Sequence, residues 1–186
     1  MSDQKEIPKP DRRYVNVTGE ITEEKSEKIL NRLIELEGKD PSSDILVVID
    51  SYGGDIDAMW TIINTMAMIR CPIATLCVGK AMSAASLILI SGDKGKRFCS
   101  KQCRIMFHQL SGFTSGKIED MDVRVQEAKR LQGKLEHFIS SKTKIKLNEV
   151  RKKMKNDFFL TSEEAIKLGV VDKIINNFSE MDIKNW

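Results

Sequence analysis

Few residues in this chain pair a reactive side chain with a local sequence that would present it. Ser83 stands in VGKAMSAASLILISG (78–92), between Ala81 and the pair Ala84 and Ala85, directly before an apolar run. On a sharp strand-to-helix turn its hydroxyl is a nucleophile, although AMSAA is not the G-x-S-x-G of a nucleophile elbow. At the start of the apolar helix it is an N-cap, for which serine is among the best residues, and on local grounds capping is the commoner role. His108 is one of two histidines and ends the apolar RIMFH where the sequence loosens into QLSGFTSG. A serine nucleophile needs a base whose neutral form takes its proton, and imidazole does this near pH 7. A histidine at a sheet edge also serves structure alone.

Three further features bear on such chemistry. The other histidine, His137 in GKLEHFISS, reads as helix surface or packing. Asp157, between the basic NEVRKKMKN and the apolar FFL, is one of many carboxylates that could orient an imidazole, and periodicity does not single it out. SYGG (51–54) ends the strand-like LVVID, and paired glycines there leave backbone N–H groups free to approach an oxyanion. They suit an ordinary tight turn equally well.

The elements that must position these residues alternate along the chain. YVNVTG predicts a strand, and ITEEKSEKILNRLIELEG a helix with Thr22 as N-cap and Gly38 as its stop. DILVVIDS and PIATLCVG are continuous apolar runs of the kind buried on both faces of a parallel sheet. Between them DIDAMWTIINTMAMIR predicts a helix, and SAASLILISG a short buried one. KRFCS and RIMFHQ read as strands, followed by a long charged helix from Lys117 to about Lys142, two short helical pieces and a last strand in VVDKII. Repeated strand–helix–strand units imply right-handed crossovers in an α/β sheet. In such sheets ligands bind beyond the strand ends, where SYGG and the Ser83 stretch both fall.

Composition narrows the class. With 186 residues, 41% hydrophobic and 31% charged, the chain suits one well-cored domain. A net charge of +3 from 30 basic and 27 acidic residues argues for neither nucleic-acid nor membrane binding. RKKMK (151–155) reads as the wet face of a helix. The longest nearly uncharged run, Cys71 to Ile90, is interrupted by Pro72, Gly79 and Lys80 and does not resemble a membrane span. MSDQKEIPKPDRR has no apolar core for a secretory signal, so the expected location is cytoplasmic. Cys71, Cys77, Cys99 and Cys103 fit no common zinc spacing and are expected as free, buried thiols.

Four separated motifs, SYGGDIDAM, GKAMSAASLILISGDKGKRFC, RIMFHQ and NDFFLTSEEAIKLGVVDKI, occur in the order in which they stand in the proteolytic subunit of the Clp protease. The chain resembles that serine peptidase family from about Val15 to Asn176. The resemblance implies a ClpP/crotonase-like α/β fold of repeated β-β-α units with a protruding handle helix (117–143), in a single domain over 1–186 whose residues 1–13 form a flexible segment. It implies that Ser83 is the nucleophile, His108 the general base and Asp157 the carboxylate that orients it. The backbone N–H groups of Gly54 and Ala84 would form the oxyanion hole, and Gly112, Phe113 and Thr114 would pair with a substrate strand. No metal or organic cofactor is implied. The implied partners are a peptide or unfolded-protein substrate, copies of the same chain in a heptamer or tetradecamer, and a Clp-type ATPase ring. Met121, Val125, Ala128, Leu135 and Phe138 would form the handle's apolar stripe.

The departures are local. Tyr52 and Leu110 replace the family's usual prolines, Ala84 and Ala85 its usual Met and Gly, and the polar N-terminus lacks the apolar residues of the family's pore loops. They imply altered specificity and leave three alternatives open: a peptidase fed by an ATPase, a phage or mobile-element type that acts without one, or a self-contained peptidase for small substrates. Three other classes compare less well. Acyl-CoA enzymes of the same fold usually use carboxylate bases, and related signal-peptide peptidases would use Lys80. A catalytically silent scaffold subunit would keep the triad residues out of line.

Overall fold

The computed structural model describes residues 12–112 and 114–183. Five parallel strands form the sheet's spine in the order β1-β2-β3-β4-β7, namely Tyr14–Ile21, Ile45–Gly54, Ile73–Met82, Arg97–Ser100 and Lys173–Ile175. β5 (Arg104–Phe107) pairs in parallel with the end of β3, and β6 (Phe158–Leu160) closes antiparallel on β5. β3 therefore feeds two branches. Its first half, Thr75–Cys77, pairs with β4, and its second half, Lys80–Met82, pairs with β5. The fork sets the end of β3, where Ser83 follows, beside the strand that leads to His108.

Local signals explain most element boundaries. α1 (Glu23–Lys39) starts where Thr22 Oγ1 accepts the Lys25 N–H at 3.3 Å, and buries Ile29, Leu33 and Leu36. It passes through Gly38, which takes no left-handed φ, and ends at Asp40. The expected stop at Gly38 thus lies inside the helix. α2 (Ile56–Met68) is capped by Asp55, whose Oδ1 accepts the Ala58 N–H at 2.7 Å. α3 (Ala84–Ile90) is buried along its whole length between β2 and β3. α6 (Ser162–Lys167) opens on a full capping box between Thr161 and Glu164.

The main core lies between the sheet and α1, α2, α3 and the end of α4, and a second cluster of Leu46, Leu76, Phe98, Ile175 and Met181 covers the opposite face. All four cysteines are free and buried, as expected. Of the expected flexible segment 1–13, only Arg12 and Arg13 are described. Arg13 is buried, and its guanidinium donates to Leu36 O at 2.9 Å and Asp40 O at 2.7 Å, closing the C-terminus of α1.

α4 (Ile118–Lys142) runs for 25 residues, about 37 Å at 1.5 Å per residue. Its two halves differ. From Ile118 to Arg130 it is exposed except at Met121, whereas Leu135 and Ile139 are buried and Phe138 packs edge-on against Trp60 at 5.3 Å. The expected five-residue stripe therefore divides: Leu135 and Phe138 serve the chain's own core, and Met121, Val125 and Ala128 stay outside it. α5 (Leu147–Lys153) then presents Arg151, Lys152 and Lys153 to solvent, as expected of that basic run.

Candidate active site

Ser83 is the one non-glycine residue with a positive φ among the described residues, at φ 53° and ψ −128°. Such a conformation costs on the order of 1–3 kcal/mol, so its surroundings must enforce it. They do so through the backbone. Ser83 N–H donates to Met106 O in β5 at 2.9 Å, and its carbonyl accepts from Ser86 N at 3.0 Å and Ser86 Oγ at 2.6 Å. Although Ser83 occupies the N-cap position of α3, its hydroxyl makes no capping bond. The capping role that local sequence favours is therefore absent.

β2 delivers the glycines to the same point. Gly53 has φ +107°, and a Cβ there would lie 2.7 Å from Ser83 Cβ and 2.8 Å from Met82 O. Gly54, at φ +152°, would bring a Cβ within 2.2 Å of Ile21 O. Only glycine permits both approaches. Sequence reasoning marked the pair but not Gly53's contact with Ser83, which joins residues 30 positions apart and leaves no local signal.

His108 follows β5 directly. Phe107 pairs with Phe158 at the end of the antiparallel ladder, and His108 and Asp157 each lie one residue beyond that pair. A cleft of about 290 Å³ is lined by Gly54, Asp55, Ser83, Ala84, His108 and Ser111, among others. Four of the expected residues thus share one cavity. Asp157 is exposed and does not line that cavity, while Gly112 and Thr114 follow Ser111 without strand geometry. Phe113 lies outside the described residues. Among those residues no side-chain hydrogen bond joins Ser83, His108 and Asp157. Larger hollows of about 520 and 590 Å³ lie elsewhere, one beside Lys94 and Lys144 and one beside Cys103, and neither contains Ser83 or His108.

Lys80, the alternative base, is engaged elsewhere. Its Nζ donates to Asp50 Oδ1 at 2.8 Å and lies 4.6 Å from the centre of the Tyr52 ring. The hydrogen bond it donates to Asp50 holds its pKa above the ordinary lysine value, so it stays an ammonium rather than a base.

The family profile described as Clp protease matches residues 10–178. The chain belongs to the Clp protease family. It is also 38% identical over 163 residues to the ATP-dependent Clp protease proteolytic subunit 1 of Rhodopirellula baltica, which covers 88% of this chain and 72% of that protein. The mostly parallel sheet flanked by helices agrees with the Clp protease fold, and membership makes the chain a peptidase. No helix of the described residues is long and apolar enough to cross a membrane.

Proposed function

We propose that this Clp-family chain is a serine endopeptidase in which Ser83 attacks a peptide carbonyl. The observation that carries the reading is the forced left-handed backbone at Ser83, with a hydroxyl released from helix capping. His108 takes the Ser83 proton during attack and later returns it to the leaving amine, while Asp157 holds the imidazole tautomer and stabilises the imidazolium. The N–H groups of Gly54 and Ala84 receive the oxyanion, each worth about 3 kcal/mol in comparable sites. Gly112 to Thr114 would offer backbone for pairing with an extended substrate.

The domain reading extends the same proposal. One domain would carry the site, and the exposed half of α4 would join a second copy, since Ile118 and Val123 are 71% and 68% exposed there. Peptides or unfolded segments would be cut inside a cytoplasmic chamber of seven or fourteen chains. The ATP-dependent naming of the Rhodopirellula relative makes an ATPase ring the candidate feeder.

One observation favours a second reading. The absence of side-chain bonds joining Ser83, His108 and Asp157 among the described residues fits a silent ring subunit. Labelling with a fluorophosphonate, read by intact mass, separates the two. One adduct that vanishes in both Ser83→Ala and His108→Ala is expected, and no adduct on the folded wild type would establish the silent subunit.

A further inference from the structure

The loop after His108 is held very lightly. Beyond the β5 ladder, residues 108–112 make one hydrogen bond to the rest of the described structure, from Leu110 N–H to Gln132 Oε1 at 2.8 Å. Gln132 lies on α4 and is itself fixed, because its Nε2 donates to Glu136 Oε1 at 2.8 Å. The other oxygen of Glu136 accepts from Arg151 Nε at 3.0 Å. Arg151 belongs to α5, which ends four residues before Asp157.

The direction of each bond follows from the chemistry of its neighbours. A Gln132 amide turned the other way would set its NH₂ against the Leu110 N–H and its oxygen against a carboxylate. Glu136 is 8% exposed, so its charge requires both partners. The relay thus has one arrangement that satisfies every group. A hollow of about 470 Å³ opens over it, lined by Leu110, Gln132, Gly133, Glu136 and Arg151 among others. Water therefore reaches the region, and any protection of the Leu110 amide comes from Gln132 rather than from burial.

We infer that Gln132 is a positioning residue: its amide anchors the loop that follows His108 and, through Glu136 and Arg151, ties it to the segment that carries Asp157. The inference rests on the serine-peptidase reading for its catalytic consequence, while the tether stands on its own geometry. Gln132 acts on the base through the loop, so its loss would let the imidazole drift from Ser83. Misplacement on the scale of 1 Å costs up to about a hundredfold in rate, and loss of one neutral hydrogen bond about tenfold.

The test uses the full chain and three variants: Gln132→Leu, which keeps size and helix propensity but removes the acceptor, Leu110→Pro, which removes the donor, and the double variant. Leu110 amide exchange should quicken about tenfold in Gln132→Leu while the amides of β2 and β3 exchange as in wild type, and the thermal midpoint should fall by only a few degrees because Glu136 keeps Arg151. Fluorophosphonate labelling of Ser83 should slow about tenfold, with kcat for a small peptide ester falling by the same factor and KM held within about twofold. Because both substitutions break the Leu110–Gln132 bond, and Gln132→Leu also frees Glu136 Oε1, the double variant should be no slower than Gln132→Leu by more than about twofold. Unchanged exchange, unchanged labelling, or multiplied losses in the double variant would each overturn the inference. If the wild type takes no label while exchange still quickens in Gln132→Leu, the serine-peptidase reading and the catalytic consequence both fall, and the tether alone stands.

Discussion

The two halves of the candidate site are built differently. The nucleophile half comes from the ends of β2 and β3 and the start of α3, where Gly53 packs against Ser83 and α3 is wholly buried. The base half comes from a loop after β5 and the turn before β6, where His108 is half-buried, Asp157 is exposed and one hydrogen bond from Leu110 N–H to Gln132 holds the loop. Close packing fixes the first half without help from substrate. The second is adjustable, so activity should depend most on whether substrate or assembly brings His108 and Asp157 into line.

The comparison breaks most sharply at Asp157. If the loose half closes during turnover, Asp157→Asn should lower kcat on a fluorogenic peptide by on the order of 10⁴-fold, because the amide selects the wrong imidazole tautomer. Its unfolding should be unchanged, since Asp157 is exposed and has no ion pair among the described residues. Turnover within about tenfold of wild type would mean that the base half never engages this carboxylate.

A matched pair of glycine substitutions probes packing directly. Gly53→Ala forces a Cβ into Ser83 and Met82 at a φ that side chains avoid, so turnover should fall about a hundredfold and stability by about 1–3 kcal/mol. Gly112→Ala, in the loop of the base half, meets no atom within 4 Å and has no left-handed φ. Its stability should stay within about 0.5 kcal/mol of wild type and its turnover within about twofold. Equal losses on the same peptide would erase the distinction between the halves.

The Arg97–Asp172 ion pair, at the start of β4 and just before β7, predicts a pH signature. Burial alone would raise the pKa of Asp172, but it is outweighed by Arg97, whose Nε and Nη2 donate at 2.9 and 2.6 Å, and by the backbone N–H groups of Arg97 and Gly95. The carboxyl is therefore held below its ordinary value. A depressed folded pKa contributes fully above the unfolded value, near 3.9, and is lost as pH falls through the folded one. Asp172→Asn should cost about 3 kcal/mol at pH 7, because buried Arg97 loses its partner, and the gap in thermal midpoint should shrink below about pH 4. A gap that stays constant across that range would remove the pair as a source of acid sensitivity.

How much of this was legible in the sequence depends on how far apart the interacting residues lie. The Thr22 cap and the buried β2 and β3 runs follow from neighbouring residues, and the structure contains them. Gly38 misled because glycine stops a helix only where the chain turns left-handed, and here Asp40 closes α1 instead. The α4 stripe read as one face because a 3.6-residue period carries no record of where the body of the molecule ends. At Ser83 local sequence favoured the wrong role, since its φ is imposed by β5 and β2, far away in the chain. Gln132 sent no signal at all, as a glutamine on a charged helix looks like solvent-facing surface until the loop after His108 is laid against it.

Lys80 gives the smallest expected effect and still discriminates. It lies on β3 three residues before Ser83, close enough in sequence to suggest a serine–lysine pair. The ammonium is instead bound by Asp50 and covers the Tyr52 ring, and a base must be neutral to accept the serine proton. Lys80→Ala should therefore leave kcat and the rate of Ser83 labelling within about twofold of wild type. A hundredfold loss at unchanged fold would move the base onto the nucleophile's own strand. Both halves of the site would then rest on β3, and the loop after His108 would have no catalytic group to position.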